Sequence, residues 1–298
     1  MANKYFIKDI GLLRASGKDT IDFINRMSTN NFKTLPADEF RKTVFTTDKG
    51  RIIDLVNVVN LKDNLFLLTS DNFQDKVKAH LDKYIIMDDV MLERPGEDFS
   101  QIIITGDDLE GISKKLFDVD VLKNKVYKLN ENVFLFYDDH GLETLNIILN
   151  KKNIDVYADQ LKDLKKSDRD EYESVRIEAG IPEGENELND QINPVECGLG
   201  QYVSFTKGCY IGQEVIARLD SQGKIPKQMV KLKSESMIGR GDKIYSDEKE
   251  TGFVSSVVKH NGNYTGLGFI RSVNLDFEKN YFAEHESERS KIDIYKIN

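Results

Sequence analysis

The short link Asp48-Lys49-Gly50, set between Thr43-Val44-Phe45-Thr46-Thr47 and the apolar run from Arg51 to Asn60, most constrains what this chain can fold into. Two runs rich in β-branched residues, joined by so short a glycine-containing turn, close as an antiparallel hairpin. A further strand is predicted over Asn64–Thr69, and Val133–Tyr137 pairs with Leu145–Leu149 as a second hairpin. Gln101–Thr105 reads as a buried strand. Between these strands the apolar spacing becomes helical: Ile21, Ile24 and Met27, then Phe73, Val77, Leu81 and Tyr84, then residues 108–117. Ser70 or Asp71 is placed to cap the second of these helices. Hairpins this frequent argue against a doubly wound parallel sheet. They predict an α+β fold: two modules of antiparallel sheet with helices packed on one face, meeting near residues 95–100.

From Ser167 the pattern turns helical, with Tyr172, Val175, Ile177 and Ala179 ahead of Gly180 as a stop, and Pro182 forbids continuation. Residues 181–206 show little periodicity, which in a compact domain marks a functional loop. Ser221-Gln222-Gly223-Lys224-Ile225-Pro226 reads as a linker. Beyond it come short strands at Met229–Leu232, Gly252–Val258, Thr265–Ile270 and Ile292–Ile297, the signature of a small β-barrel. The expected division is 1–222 and 223–298, in keeping with the about two domains that this length allows.

Asp plus Glu outnumber Lys plus Arg by 51 to 42, which argues against direct nucleic-acid binding. The charge run Lys162–Arg169 is a solvated face. No stretch is apolar enough for a membrane span, and the start, Met1-Ala2-Asn3-Lys4-Tyr5-Phe6, lacks the apolar core of a secretory signal, so a cytoplasmic location is expected. Cys197 and Cys209 with His80, His140, His260 and His285 make no recognisable metal cluster, and no metal ligand is assigned. Cys197 reads as structural.

Cys209 lies between Gly208 and Gly212 in Lys207-Gly208-Cys209-Tyr210-Ile211-Gly212-Gln213-Glu214, and the helix-compatible run to Arg218 follows. The glycines point to a tight loop presenting the thiol, and Lys207 and a helix start would both favour the thiolate. A small buried hydrophobe in a structural turn is the blander alternative. The whole motif, with Gly208, Tyr210, Gly212, Gln213 and Glu214, resembles the K-G-C-Y-x-G-Q-E signature of the YgfZ proteins, relatives of the glycine-cleavage T-protein. Ser174 to Pro182 resembles that family's R-x-E-x-G segment, and Asn193-Pro194-Val195-Glu196 its proline turn. Met27-Ser28-Thr29-Asn30-Asn31 and Asp48-Lys49-Gly50-Arg51-Ile52-Ile53-Asp54 match as well, so the resemblance covers residues 5–270.

The resemblance implies two interlocked antiparallel-sheet and helix modules of the aminomethyltransferase type around a central channel, plus a C-terminal barrel. Tetrahydrofolate or a one-carbon derivative is the implied ligand. It also implies a part in iron–sulfur cluster assembly or repair, with cluster-assembly proteins or tRNA-modifying cluster enzymes as partners. By similarity to the T-protein, Glu178 is assigned to the pterin edge, whose adjacent N–H groups a carboxylate accepts in parallel. Arg218 is a candidate for the anionic folate tail or for a salt bridge to Glu214, and Asp54 is counted with the cofactor-binding groups. T-proteins typically carry two adjacent aspartates after the first turn, one catalytic in aminomethyl transfer to tetrahydrofolate. Here Leu55 follows Asp54, and neighbours on a strand face opposite sides, so Asp54 cannot simply take over that role. The leading expectation is a folate-binding accessory protein of iron–sulfur cluster biogenesis with Cys209 as its reactive thiol. A tetrahydrofolate-dependent aminomethyltransferase and a non-catalytic docking scaffold are the alternatives.

Overall fold

The computed structural model describes residues 3–62, 64–131, 133–260 and 262–297; Met1 and Ala2, read above for a signal segment, lie outside them. Two compact units form. The first is made by Met1–Thr46, Ile53–Ser167 and Tyr202–Ile211, the second by Thr47–Ile52, Asp168–Gln201 and Gly212–Asn298. In chain order the first half runs β1 (Lys4–Ser16), α1 (Thr20–Met27), β2 (Glu39–Thr46), β3 (Ile52–Leu61), β4 (Asn64–Thr69), α2 (Gln74–Asp82) and β5 (Met91–Glu93). There follow β6 (Phe99–Thr105), α3 (Leu109–Phe117), β7 (Val126–Asn130), β8 (Val133–Asp138), β9 (Thr144–Asn150), α4 (Ile154–Gln160) and β10 (Lys165–Lys166).

Strand β1 organises the first unit because it belongs to two sheets. Its residues Lys4–Ile10 pair with β6, and Gly11–Ala15 pair with β4, both antiparallel. Gly11 stands at the switch, where an added Cβ would lie 2.1 Å from Thr69 Oγ1 and 2.5 Å from Gln74 Oε1. Any side chain there would have to displace both of these side chains from the strand. On one side β6, β9, β8 and β7 follow in order, and on the other β4, β3 and β2. Helices α1 and α2 bury Phe23, Ile24, Val77 and Leu81 against Leu13, Phe45, Val58 and Leu67 of the second sheet. Helix α3 buries Leu109 and Ile112 against Ile102, Ile104, Leu135 and Ile147 of the first. The remaining sheet faces share a third cluster that includes Leu12, Phe40, Val59, Phe99, Phe134 and Phe136. Covered on both faces, β8 and β9 are buried at every residue described, which is why they read as continuous apolar runs rather than alternating ones.

The expected caps of α2 are not used. Phe73 holds the N-cap position with no side-chain bond, because Ser70 turns its hydroxyl to Asp54 at 2.7 Å instead. By contrast Asp108 and Asp168 cap α3 and the helix α5 (Arg169–Glu178) as Asp residues commonly do.

The second unit holds α5, α6 (Gly184–Glu187), α7 (Gln213–Gln222) and six strands: β11 (Lys227–Ser234), β12 (Lys243–Ser246), β13 (Lys249–His260), β14 (Asn263–Arg271), β15 (Tyr281–His285) and β16 (Glu288–Lys296). These close as a barrel in the order β11-β14-β13-β12-β15-β16, which leaves no open sheet edge. The fold is therefore α+β with a C-terminal closed barrel. Gly252 and Gly266 are required there, since a Cβ at either would meet a backbone oxygen at 2.0 or 2.5 Å. Strands β12 and β15 escaped the sequence reading because they are short. Ser221 and Gln222, read as linker, are the last turn of α7, which Gly223 ends at φ 58°. The compact unit with the barrel also takes in 168–201 and 212–222. Among the described residues no helix is long and apolar enough to cross a membrane.

Candidate functional site

In the first unit the cysteine-bearing loop, residues 202–211, is tied to the segment that follows α1. Thr29 Oγ1 donates to the Tyr202 carbonyl at 2.8 Å, and Ser204 N–H donates to the Thr29 carbonyl at 2.9 Å. At the other end Thr46 Oγ1 donates to the Ile211 carbonyl at 2.7 Å. Between these ties Lys207 is drawn inward, donating to the carbonyls of Asn25, Ser28 and Asn30. Its ammonium also lies 5.2 Å from the buried Tyr210 ring. Burial and, secondarily, Lys33 push its pKa down to about 8. Cys209 itself is a free, exposed thiol, and Gly208 beside it has open space where a side chain would stand. Of the two flanking glycines only Gly212 uses left-handed backbone, at φ 82°.

A charged cluster neighbours the start of this loop. Lys42 Nζ lies 2.6 Å from Asp138 and 5.8 Å from the Tyr202 ring, and His140 Nδ1 lies 2.9 Å from the same carboxylate. Burial alone would raise Asp138, but Lys42 and His140 hold it below the usual carboxylate range. Asp138, Asp139 and His140 bring three ligand-type atoms within 4.8 Å of one another. Lys42 and Lys123, at 2.6 and 2.7 Å, already neutralise the two carboxylates.

Asp54 is fully buried, with both oxygens engaged. Leu55 N–H and Ser70 Oγ–H donate to Oδ1 at 2.9 and 2.7 Å, and Ser70 N–H donates to Oδ2 at 2.8 Å. Burial pushes its pKa up to about 7 against those bonds and Lys76.

In the second unit Glu178 is the last residue of α5. Its side chain is 45% exposed and sits 2.8 Å from Lys233 through Oε1, while Lys231 donates to its carbonyl at 3.0 Å. These lysines offset the unfavourable position of a carboxylate at a helix C-terminus. Arg218 and Glu214 are exposed on α7 and form no ion pair with each other among the described residues, and Gln213 opens that helix. Gly50, at φ 67°, packs where a Cβ would lie 3.2 Å from Val215.

Two residues that the sequence motifs contain without an assigned role are buried ion-pair partners here. Arg176, 2% exposed, bonds Glu173, the Ile181 carbonyl and Ser256, and lies 3.5 Å from the buried Glu187. Glu196, also 2% exposed, accepts from Asn193 N–H at 3.0 Å and faces Arg51 at 3.4 Å, and burial raises its pKa. The signal for Arg176 was present as three glutamates, at 173, 183 and 187, around one arginine. Nothing in the sequence shows that they surround it in space.

Residues 7–134 match the model of the GCVT N-terminal domain. A protein of Arabidopsis thaliana named as a chloroplastic transferase is 27% identical over 279 residues, covering 89% of this chain. The match spans 64% of that relative's length, under two thirds. An aminomethyltransferase of Caldanaerobacter subterraneus subsp. tengcongensis is 25% identical over 86% of this chain and 72% of its own length. Among solved structures, glycine cleavage system aminomethyltransferase T from Bartonella henselae superimposes with a TM-score of 0.87 at 15% identity, covering 99% of this chain and 86% of that one. The chain thus has a segment that matches the GCVT N-terminal domain and, over its length, the fold of aminomethyltransferase T.

Proposed function

We propose that this protein binds a reduced folate and acts on the one-carbon unit it carries, with aminomethyl transfer as the chemistry best supported. The observation that carries this reading is similarity along most of the chain to proteins named as aminomethyltransferases. The acceptor chemistry of Glu178 fits the ligand. An exposed carboxylate whose Oε2 lies 3.9 Å from Lys231, beyond hydrogen-bond distance, can accept N–H donors from a pterin edge. When bound, the folate supplies the nitrogen nucleophile that accepts the one-carbon unit. Glu178 orients the ring, and Lys231 and Lys233 hold Glu178. Arg218, exposed and unpaired among the described residues, is available to the anionic tail. Asp54 contributes as a tie between β3 and the end of β4, since it is fully buried and already accepts three hydrogen bonds from the protein.

A second reading is favoured by one observation, the free and exposed Cys209 in a motif that resembles the YgfZ signature. In it the protein supports iron–sulfur cluster assembly or repair, and Cys209, as the thiolate, holds a sulfur or iron intermediate transiently or acts as nucleophile toward a bound one-carbon group. Two assays separate the readings. Incubation with tetrahydrofolate and an aminomethyl-loaded lipoyl carrier is expected to yield one-carbon folate, and no turnover alongside intact folate binding sinks the transferase. Under the cluster reading, Cys209→Ala in a deletion background abolishes maturation of cluster-dependent tRNA-modifying enzymes. Normal maturation in that strain rules the cysteine-centred mechanism out.

A further inference from the structure

The ammonium of Lys207 has three N–H groups, and the carbonyls of Asn25, Ser28 and Asn30 take all three, the last two at 2.7 and 2.6 Å. Helix α1 ends at Met27, so these carbonyls belong to its final turn and the residues just beyond, where helical donors run out. A cation there also meets the negative end of the helix dipole. Tyr210 covers one side of the ammonium, and Thr29 and Thr46 tie the loop's two ends. Gly208 and Cys209 lie exposed between the fixed points.

We infer that Lys207 is a positioning residue for Cys209: a three-carbonyl clip that sets the loop from which the thiol projects, rather than a charge that activates the thiol. The inference rests on the reading of Cys209 as a working thiol, and its test is arranged so that either can fail alone. The two roles for Lys207 differ in what they tolerate. An activating charge is satisfied by another cation. A clip is not, because a planar guanidinium cannot converge three N–H groups on carbonyls that approach from three directions.

The test compares wild type, Lys207→Arg and Lys207→Met by amide hydrogen exchange and by iodoacetamide labelling of Cys209. Both variants are expected to raise exchange in residues 202–211 by about tenfold or more, since each loses charge-assisted bonds. Exchange in the barrel strands stays unchanged, and labelling changes to the same extent in both. The clip is overturned if Lys207→Arg keeps wild-type exchange and labelling while Lys207→Met slows labelling alone. Should Lys207→Met unfold the first unit outright, Lys207→Arg carries the comparison. Full function of Cys209→Ala would remove the role of the thiol and leave the exchange result standing.

Discussion

Arg176→Ala is expected to lower stability by about 3–5 kcal/mol, measured by urea denaturation, because it strands a buried carboxylate. Arg176 is 2% exposed and Glu187 is fully buried. Without the guanidinium, Glu187 keeps Ser255 and Ser256 at 2.6 and 2.7 Å and Glu183 N–H at 3.1 Å, but no cation. The loss is therefore mostly the cost of an unpaired charge, not the value of the contacts removed. Glu187→Gln, destabilising alone, must then restore part of the stability in the Arg176→Ala background, a coupling that a double-mutant cycle reads directly. Additive losses would refute it. Because Arg176 anchors the end of α5, weakened folate binding in this variant should track unfolding, whereas loss at Glu178 should not.

Asp54→Ala is the second large effect. It orphans the N–H groups of Leu55 and Ser70 together with the Ser70 hydroxyl, at about 1–3 kcal/mol for each buried donor left without an acceptor. The pH dependence has a definite sign. A carboxyl group whose pKa rises from 3.8 to about 7 on folding binds more protons in the native than in the unfolded state across that interval. Its contribution is fully present below the unfolded value and is lost as pH rises through the folded one. The gap between wild type and Asp54→Ala should thus be widest near pH 4 and narrow toward pH 7, read from denaturation midpoints at several pH values. A gap that widens with pH would mean that the three donors outweigh burial.

The hairpins and helices were legible because local spacing determines them. The run Asn64–Thr69 is strand β4 to the residue, and Gly180 stops α5 in left-handed backbone at φ 68°. What the sequence hid depends on contacts between distant segments. Gly11 looks like any strand glycine until β1 is seen to change sheets beside Thr69 and Gln74. Ser70 reads as a helix cap, and only the approach of Asp54 from β3 explains why it serves elsewhere. The candidate site divides the same way. Glu178 and Cys209 stood out through their motifs, but the lysines beside Glu178 come from the outward register of β11, and the carbonyls around Lys207 from the end of α1. Proximity in sequence suggested that Lys207 acts on its neighbour Cys209, whereas the fold turns its charge inward.

The central claim, that the protein binds reduced folate through Glu178, is tested most directly by calorimetric titration with tetrahydrofolate of wild type, Glu178→Ala and Cys209→Ser. Saturable binding is expected for wild type and Cys209→Ser, with at least about a tenfold loss for Glu178→Ala, equivalent to ~1.4 kcal/mol for the lost charge-assisted bonds. Wild-type protein that gives no saturable heat, or Glu178→Ala that binds as tightly as wild type, would contradict it.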